Sequence, residues 1–353
     1  MGTESVEASF LSIFALISFF IFLLVSKYSH RIKGGTLLDK DFLKPQAFHD
    51  TPVTRSGGIA AIISLSIFFY IYYLLYAEVL YNYIFVSYSV FTVGFLDDLK
   101  INIKPFSRLI IMVLLLFTFI YILPIKILNI DIPFLTTLMT NHMFSSTFVL
   151  LCFLFVINGA NLIDGFNGLL TINLIIINII LAYINIENGN LEFSILIISQ
   201  IIILLSFLLF NFPSAKIFLG DSGAYTMGAL VGLNTIITNN LNPEISSFFF
   251  CTLLFYLFFE VFFSFLRKIL QKKSPIHPDD KHLHMLSFYK ISNIYGKNKG
   301  NYLNSIIINF FYLILIIPGL YLMLDPQLSR YWFFILLLIY LIIYSRLYSF
   351  TKN

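Results

Sequence analysis

Four short polar stretches carry most of the residues in this chain that can do chemistry, and each lies where an apolar run ends. Asp97 and Asp98 stand side by side in VGFLDDLKINIKPFSR, after an apolar run from about Ile84 to Leu96. Asp164 lies in NGANLIDGFNG and Asp221 in KIFLGDSGAY, while His277, Asp279, Asp280, His282 and His284 crowd into SPIHPDDKHLHM. Adjacent carboxylates raise one another's pKa unless a cation or a donor compensates. A pair at the end of an apolar helix is therefore costly without a partner. One member can bind a cation while the other accepts a proton or orients a phosphate. Paired oxygen ligands on a phosphate-bearing substrate suit magnesium, which keeps waters and uses few protein ligands. The bland alternative is a hydrated cap on the helix end.

The other stretches admit two readings each. Gly220 and Gly223 flank Asp221 and allow a tight entry into a helix whose first N–H groups face outward. An anion or a metal-bound phosphate docks well there; equally, Asp221 or Ser222 can simply cap the helix. Lys216 is placed to reach a phosphate or to snorkel. Asn158, Asn161, Asp164 and Asn167 recur every third residue, a step that drifts slowly around one helix face. They suit either a ligand or interhelical hydrogen bonding. Asp164-Gly165 and Asn167-Gly168 predict that the helix ends near there. His282 and His284 make an H-x-H pair with no cysteine to assist, so phosphate contact or proton transfer fits them better than zinc. Arg267, Lys268, Lys272 and Lys273 upstream either anchor the chain at the membrane or hold an anionic headgroup. Glu260 is an isolated acid within an apolar run, where such residues face a partner or a cavity.

Many apolar elements must position these residues. Of 353 residues, 59% are hydrophobic and only 11% charged, against about 25% charged in a soluble domain. Forty-one Phe exceed what a soluble core of this size hides. The composition predicts a single all-α polytopic domain over 1–353. Eleven spans are expected, roughly at 9–26, 57–79, 81–96, 107–125, 145–163, 168–186, 193–212, 222–238, 246–266, 303–323 and 330–350. The run at 81–96 is short, and 222–238 carries Gly223, Gly228 and Gly232, which suit close helix packing. The first run lacks a basic leader and reads as a retained span.

Alternating the loops divides Lys and Arg sharply. Twenty of the 22 fall in one set, which includes the main loops 27–56 and 267–302; only Lys126 and Arg330 fall in the other. The positive-inside bias predicts that the first set is cytoplasmic, with the N-terminus outside and the C-terminus inside. All four chemical stretches then lie on the cytoplasmic side. In KPQAFHDTPVTRSGG, Pro45, Pro52, Gly57 and Gly58 predict an ordered turn. Cys152 and Cys251 sit in apolar runs and form no metal pattern. No P-loop, dinucleotide fingerprint or nucleic-acid motif is present, and no ladder of charges runs through the spans as a proton-driven carrier would need.

Five blocks taken in order, PVTRSGGIA, VGFLDDLKINIKPFSR, VINGANLIDGFNGL, KIFLGDSGAYTMG and SPIHPDDKHLH, closely resemble the polyprenyl-phosphate sugar-1-phosphate transferases. The resemblance runs from about Asp50 to His284. It implies transfer of a sugar-1-phosphate, an N-acetylhexosamine-1-phosphate in the branch with this histidine motif, from a UDP-sugar to undecaprenyl phosphate. It implies magnesium as cofactor, with manganese as a substitute. Asp221 and Asp98 match the metal-binding positions. Asp97 and Asp98 match the aspartate pair, Asn161 and Asp164 the nucleotide block, with Asn167 and Lys216 beside it, and His282 and His284 the histidine motif. A bacterial inner-membrane location, contact with membrane lipid and compatibility with a homodimer follow from the same resemblance. There are two departures. DGFNG puts Asn167 where an aspartate is usual, and GDSGA puts Ala224 where a serine is common. A lipid-anion flippase or a silent membrane scaffold are the rival expectations.

Overall fold

Apolar runs of about 20 residues can satisfy their backbone in a bilayer only as helices, and helices hold most of the described residues. The computed structural model describes residues 2–29, 31, 37–39, 52–101, 103–274 and 279–352. In chain order these form α1 (Gly2–Tyr28), β1 (Leu38–Asp39), β2 (Val53–Thr54), α2 (Gly57–Tyr76), α3 (Tyr81–Asp98), α4 (Pro105–Ile122), α5 (Pro133–Met139), α6 (His142–Ile163) and α7 (Leu169–Glu187). They continue with α8 (Leu191–Asn211), α9 (Gly220–Leu241), α10 (Ser247–Leu253), α11 (Phe255–Leu270), α12 (Leu283–Tyr295), α13 (Lys297–Leu322) and α14 (Pro326–Lys352). The expected turn falls mostly on residues 40–51, outside those described, as does His277.

Eight of the described helices are long and apolar enough to cross a membrane, or nine if α10 and α11 count as one broken span. The protein is therefore an integral membrane protein. The sequence-based number of eleven also included α3 and α9. Both are helices of spanning length, but their polar and small residues keep them outside the eight. The expected span at 246–266 is made of two helices, α10 and α11, which meet at a 76° bend. Neither Gly nor Pro marks this break. The Tyr312 hydroxyl on α13 donates to the Leu253 carbonyl at the bend, supplying a partner to a backbone acceptor that a bilayer would leave unpaired. A helix not foreseen from sequence, α12, lies within the 267–302 loop.

Helix α9 is the hub. It is buried along nearly its whole length and packs against α2, α3, α6 and α7. A close backbone approach is at Gly94 on α3, where an added Cβ would come within 2.5 Å of the Ser222 Cα. Deeper in the bundle, Asn234 accepts from the Tyr83 hydroxyl at 2.9 Å and donates to Asn178 at 3.0 Å and Gln200 at 2.8 Å. This ties α3, α7 and α8 to α9, each bond contributing on the order of 0.6 kcal/mol.

At one end of the bundle a small backbone platform joins two distant stretches. β1 and β2 pair antiparallel, Leu38 with Thr54 and Asp39 with Val53. The chain after β2 then runs beside residues 217–219. Phe218 N donates to Thr54 O at 2.8 Å, Gly57 N to Phe218 O at 2.9 Å and Gly58 N to Leu219 O at 2.8 Å. The PVTRSGG and KIFLGDSG stretches are thus hydrogen-bonded neighbours.

Candidate active site

Where α3 ends and α9 begins, Asp98 fastens the two together. Its carboxylate accepts from Asp221 N at 2.9 Å, Ser222 N at 2.9 Å and the Ser222 hydroxyl at 2.6 Å. It therefore satisfies the orphan donors at the N-terminus of α9 from another helix. Gly220 makes this possible: its φ is +75°, and an added Cβ would lie 2.7 Å from Asp98 Oδ2. Asp98 is only 1% exposed. Arg55, which also grips Asp39 through two donors, lies 3.9 Å from Asp98 Oδ1.

Asp97 has the opposite surroundings. Its side chain is 25% exposed and pairs with Arg108 in the first turn of α4. The same Arg108 Nη1 lies 3.4 Å from Asp221 Oδ2, and Asp221 Oδ1 accepts from Asn161 Nδ2 near the end of α6 at 2.8 Å. Arg108 also lies over the Tyr225 ring, 5.8 Å from its centroid. Four helix ends thus deliver Asp97, Arg108, Asn161 and Asp221 to one point. In sequence Arg108 counted only towards the positive-inside bias; its place beside two acids has no local signal.

Asp98, expected beside Asp221 as a metal ligand, has its oxygens turned into the α9 terminus, so the carboxylates that share the open face are Asp97 and Asp221. Among the described residues no three His, Cys, Asp or Glu side chains close on one point.

Asp164 is the C-cap of α6. Burial holds its carboxyl well above the usual carboxylate range, the Asp221 charge adds to that, and Arg55 opposes it. Asn167 does not continue the face of Asn158 and Asn161, because the helix ends before it. Its side-chain amide donates to Pro213 O at 2.9 Å and its backbone N–H to Asn301 at 2.8 Å. A carboxylate could not make the first of these bonds, which accounts for asparagine at this position. Lys216 is exposed on the segment leading into α9.

The histidines form a second cluster. His282 is 2% exposed and His284 fully buried. His282 Nδ1 lies 3.2 Å from Glu260 Oε2, and its Nε2 lies 3.3 Å from Asp279 Oδ1. His284 faces the Tyr256 hydroxyl at 3.3 Å and meets the Phe166 ring edge-on at 5.9 Å. Burial pushes its imidazole down to about 3, against the pull of Glu260. Asp280 is exposed. Among the described residues no hydrogen bond or ion pair joins either histidine to Asp97, Asp98 or Asp221; the link to that site is the 164–168 loop.

Comparison with known proteins falls on this architecture. The family model described as glycosyl transferase family 4 matches residues 80–239. Over 281 residues the chain is 26% identical to the undecaprenyl-phosphate alpha-N-acetylglucosaminyl 1-phosphate transferase of Thermotoga maritima, covering 78% of this chain and 80% of that protein. It is 30% identical over 231 residues to a phospho-N-acetylmuramoyl-pentapeptide-transferase of Streptococcus thermophilus, covering 60% of this chain and 66% of that one. It is 25% identical over 246 residues to the probable undecaprenyl-phosphate N-acetylglucosaminyl 1-phosphate transferase of Bacillus subtilis, covering 67% and 66%. The matched segment starts just before α3 and stops within the last turn of α9, so it contains the whole Asp97, Asp98, Arg108, Asn161 and Asp221 junction. The helix ends that deliver these five residues lie within the matched segment, and the chain belongs to glycosyl transferase family 4.

Proposed function

We propose that the protein transfers an N-acetylhexosamine-1-phosphate unit from a UDP-sugar to undecaprenyl phosphate, initiating a cell-surface polysaccharide at the cytoplasmic face of a bacterial inner membrane. The observation that carries this reading is the half-exposed array of Asp97, Arg108, Asp221 and Asn161 at four helix ends. The names of the Thermotoga transferase and the probable Bacillus transferase support N-acetylglucosamine as the sugar. The Lys and Arg bias supports the orientation.

Such a transfer depends mainly on positioning and on neutralising charge. An oxygen of the lipid phosphate forms a bond to the sugar-bearing phosphorus, and the bond from that phosphorus to the bridging oxygen breaks, releasing UMP. Asp97 stands where it can take a proton from the incoming lipid phosphate. Arg108 offers its guanidinium to the diphosphate, and Asn161 holds Asp221 in place. The open Asp97 and Asp221 pair fits magnesium, which takes one or two carboxylates together with phosphate oxygens and water; manganese suits the same donors. Bound there, the ion would offset diphosphate charge. Asp98 serves this site by seating α9.

The test is a donor screen with purified protein, undecaprenyl phosphate and magnesium. UMP release from UDP-N-acetylglucosamine, with a lipid product of the matching mass, is expected. Asp221→Asn should lower it by at least about a hundredfold. Absence of release from every UDP-amino sugar would overturn the proposal.

A further inference from the structure

Glu260 lies on α11 past the bend and is 1% exposed. Its carboxylate is fully engaged. Oε1 accepts from the Tyr340 hydroxyl at 2.7 Å and from Leu283 N at 3.1 Å, and Oε2 faces His282 Nδ1 at 3.2 Å. Leu283 is the first residue of α12, so Glu260 supplies from another helix the acceptor that an N-terminus needs. About two turns along α11, Arg267 holds the same segment a second time. It grips Asp279 through two bonds, at 2.9 and 3.1 Å, and donates to Lys281 O at 2.9 Å and to the Tyr344 hydroxyl at 3.1 Å. Helices α11 and α14 and the residues before α12 are therefore closed into one ring of polar contacts.

The ring leads towards the site. The His282 and His284 rings are parallel, 5.5 Å apart. His284 meets Phe166 edge-on, and Phe288, one turn further along α12, packs on the same ring at 5.0 Å. Phe166 lies in the loop between Asp164 and Asn167, and Asn301 on α13 holds that loop from the other side while Asn304 holds the His284 carbonyl. We infer that Glu260 is a positioning residue for the reaction proposed above: through His282 and the first N–H of α12 it seats His284 against Phe166, and so fixes the 164–168 loop on the donor side of the site. The contacts that begin at this carboxylate reach the loop that carries Asp164 through His282 and His284. Polar ring and aromatic relay together form a continuous path of contacts that has one well-packed arrangement.

The inference rests on the proposed function, and the experiment separates the two. Activity of the parent protein tests the function alone. With that activity present, Glu260→Gln should raise the KM for the UDP-sugar about tenfold and leave the KM for undecaprenyl phosphate unchanged, both measured on the folded fraction because a buried amide in place of this acceptor also lowers the melting temperature. Tyr340→Phe, which removes one contact and keeps the ring, should shift the donor KM in the same direction by less. His282→Gln combined with Glu260→Gln should cost little more than either alone. Deuterium exchange, which needs no activity, should show faster uptake at 164–168 and 283–286 in Glu260→Gln and no change at 97–101. An unchanged donor KM, or a loss of rate that only follows a loss of folded protein, would overturn the inference. So would unchanged exchange at 164–168.

Discussion

Asp98 accepts three hydrogen bonds from the first residues of α9, whereas Asp97 beside it is open and paired with Arg108. Substitution should therefore separate them. Asp97→Asn is expected to keep the melting temperature and lower transfer by about a hundredfold. Asp98→Asn offers an amide where an acceptor is needed, and leaving a buried donor unpaired costs about 1–3 kcal/mol. It should lose thermal stability together with activity, as a melting curve would show. His284 gives a pH signature. Its folded value is about 3, while in an unfolded chain histidine titrates near 6.5. The unfolded state then binds the extra proton first. Stability is full above about pH 6.5 and falls as pH drops from there towards 3. Melting temperatures between pH 7.5 and 5 should decline in the parent and decline less in His284→Phe. The acids were legible in the sequence because a carboxylate at the end of an apolar run has few bland explanations. Arg108 and the partner of Glu260 were not, because Arg108 takes its meaning from Asp97 and Asp221, 11 and 113 positions away, and His282 lies 22 positions from Glu260.

At the scale of elements, helix positions followed from apolar runs, since a bilayer leaves the backbone no other choice. The bend between α10 and α11 was hidden because no Gly or Pro marks it, and the tyrosine that supports it comes from α13. Helix α12 was hidden because its start is capped by Glu260 from α11 rather than by a local signal. The α3–α9 contact was half legible: small residues predicted close packing, but not which helices meet. Gly94 decides that contact. A side chain there would strike the Ser222 backbone, which cannot rotate away. Gly94→Leu should cost on the order of 1–3 kcal/mol and lower activity by displacing Asp221 from Asp97. Gly232→Ala, whose Cβ would meet only the Phe153 and Val156 side chains at 3.6 Å or more, is the matched control and should be nearly silent.

For the whole molecule, the direct contacts among Asp97, Arg108, Asn161 and Asp221 place the ends of α3 and α6 and the starts of α4 and α9 on one face. In a background lacking Cys152 and Cys251, cysteines at Lys100 and Lys216 should react with an impermeant maleimide from the same side of sealed vesicles. A cysteine at Asn188, at the far end of α7, should react from the other. Opposite sidedness for the first two would break the arrangement.

The knot that Asp98 ties around the opening of α9 also bears on how the protein comes into being. Neither Asp221 nor its neighbours can take up their stations until a helix synthesised more than a hundred residues earlier has docked. A nascent chain therefore holds no partly competent centre during insertion, and any damage that loosens α3 from α9 should silence the protein outright instead of leaving it slow.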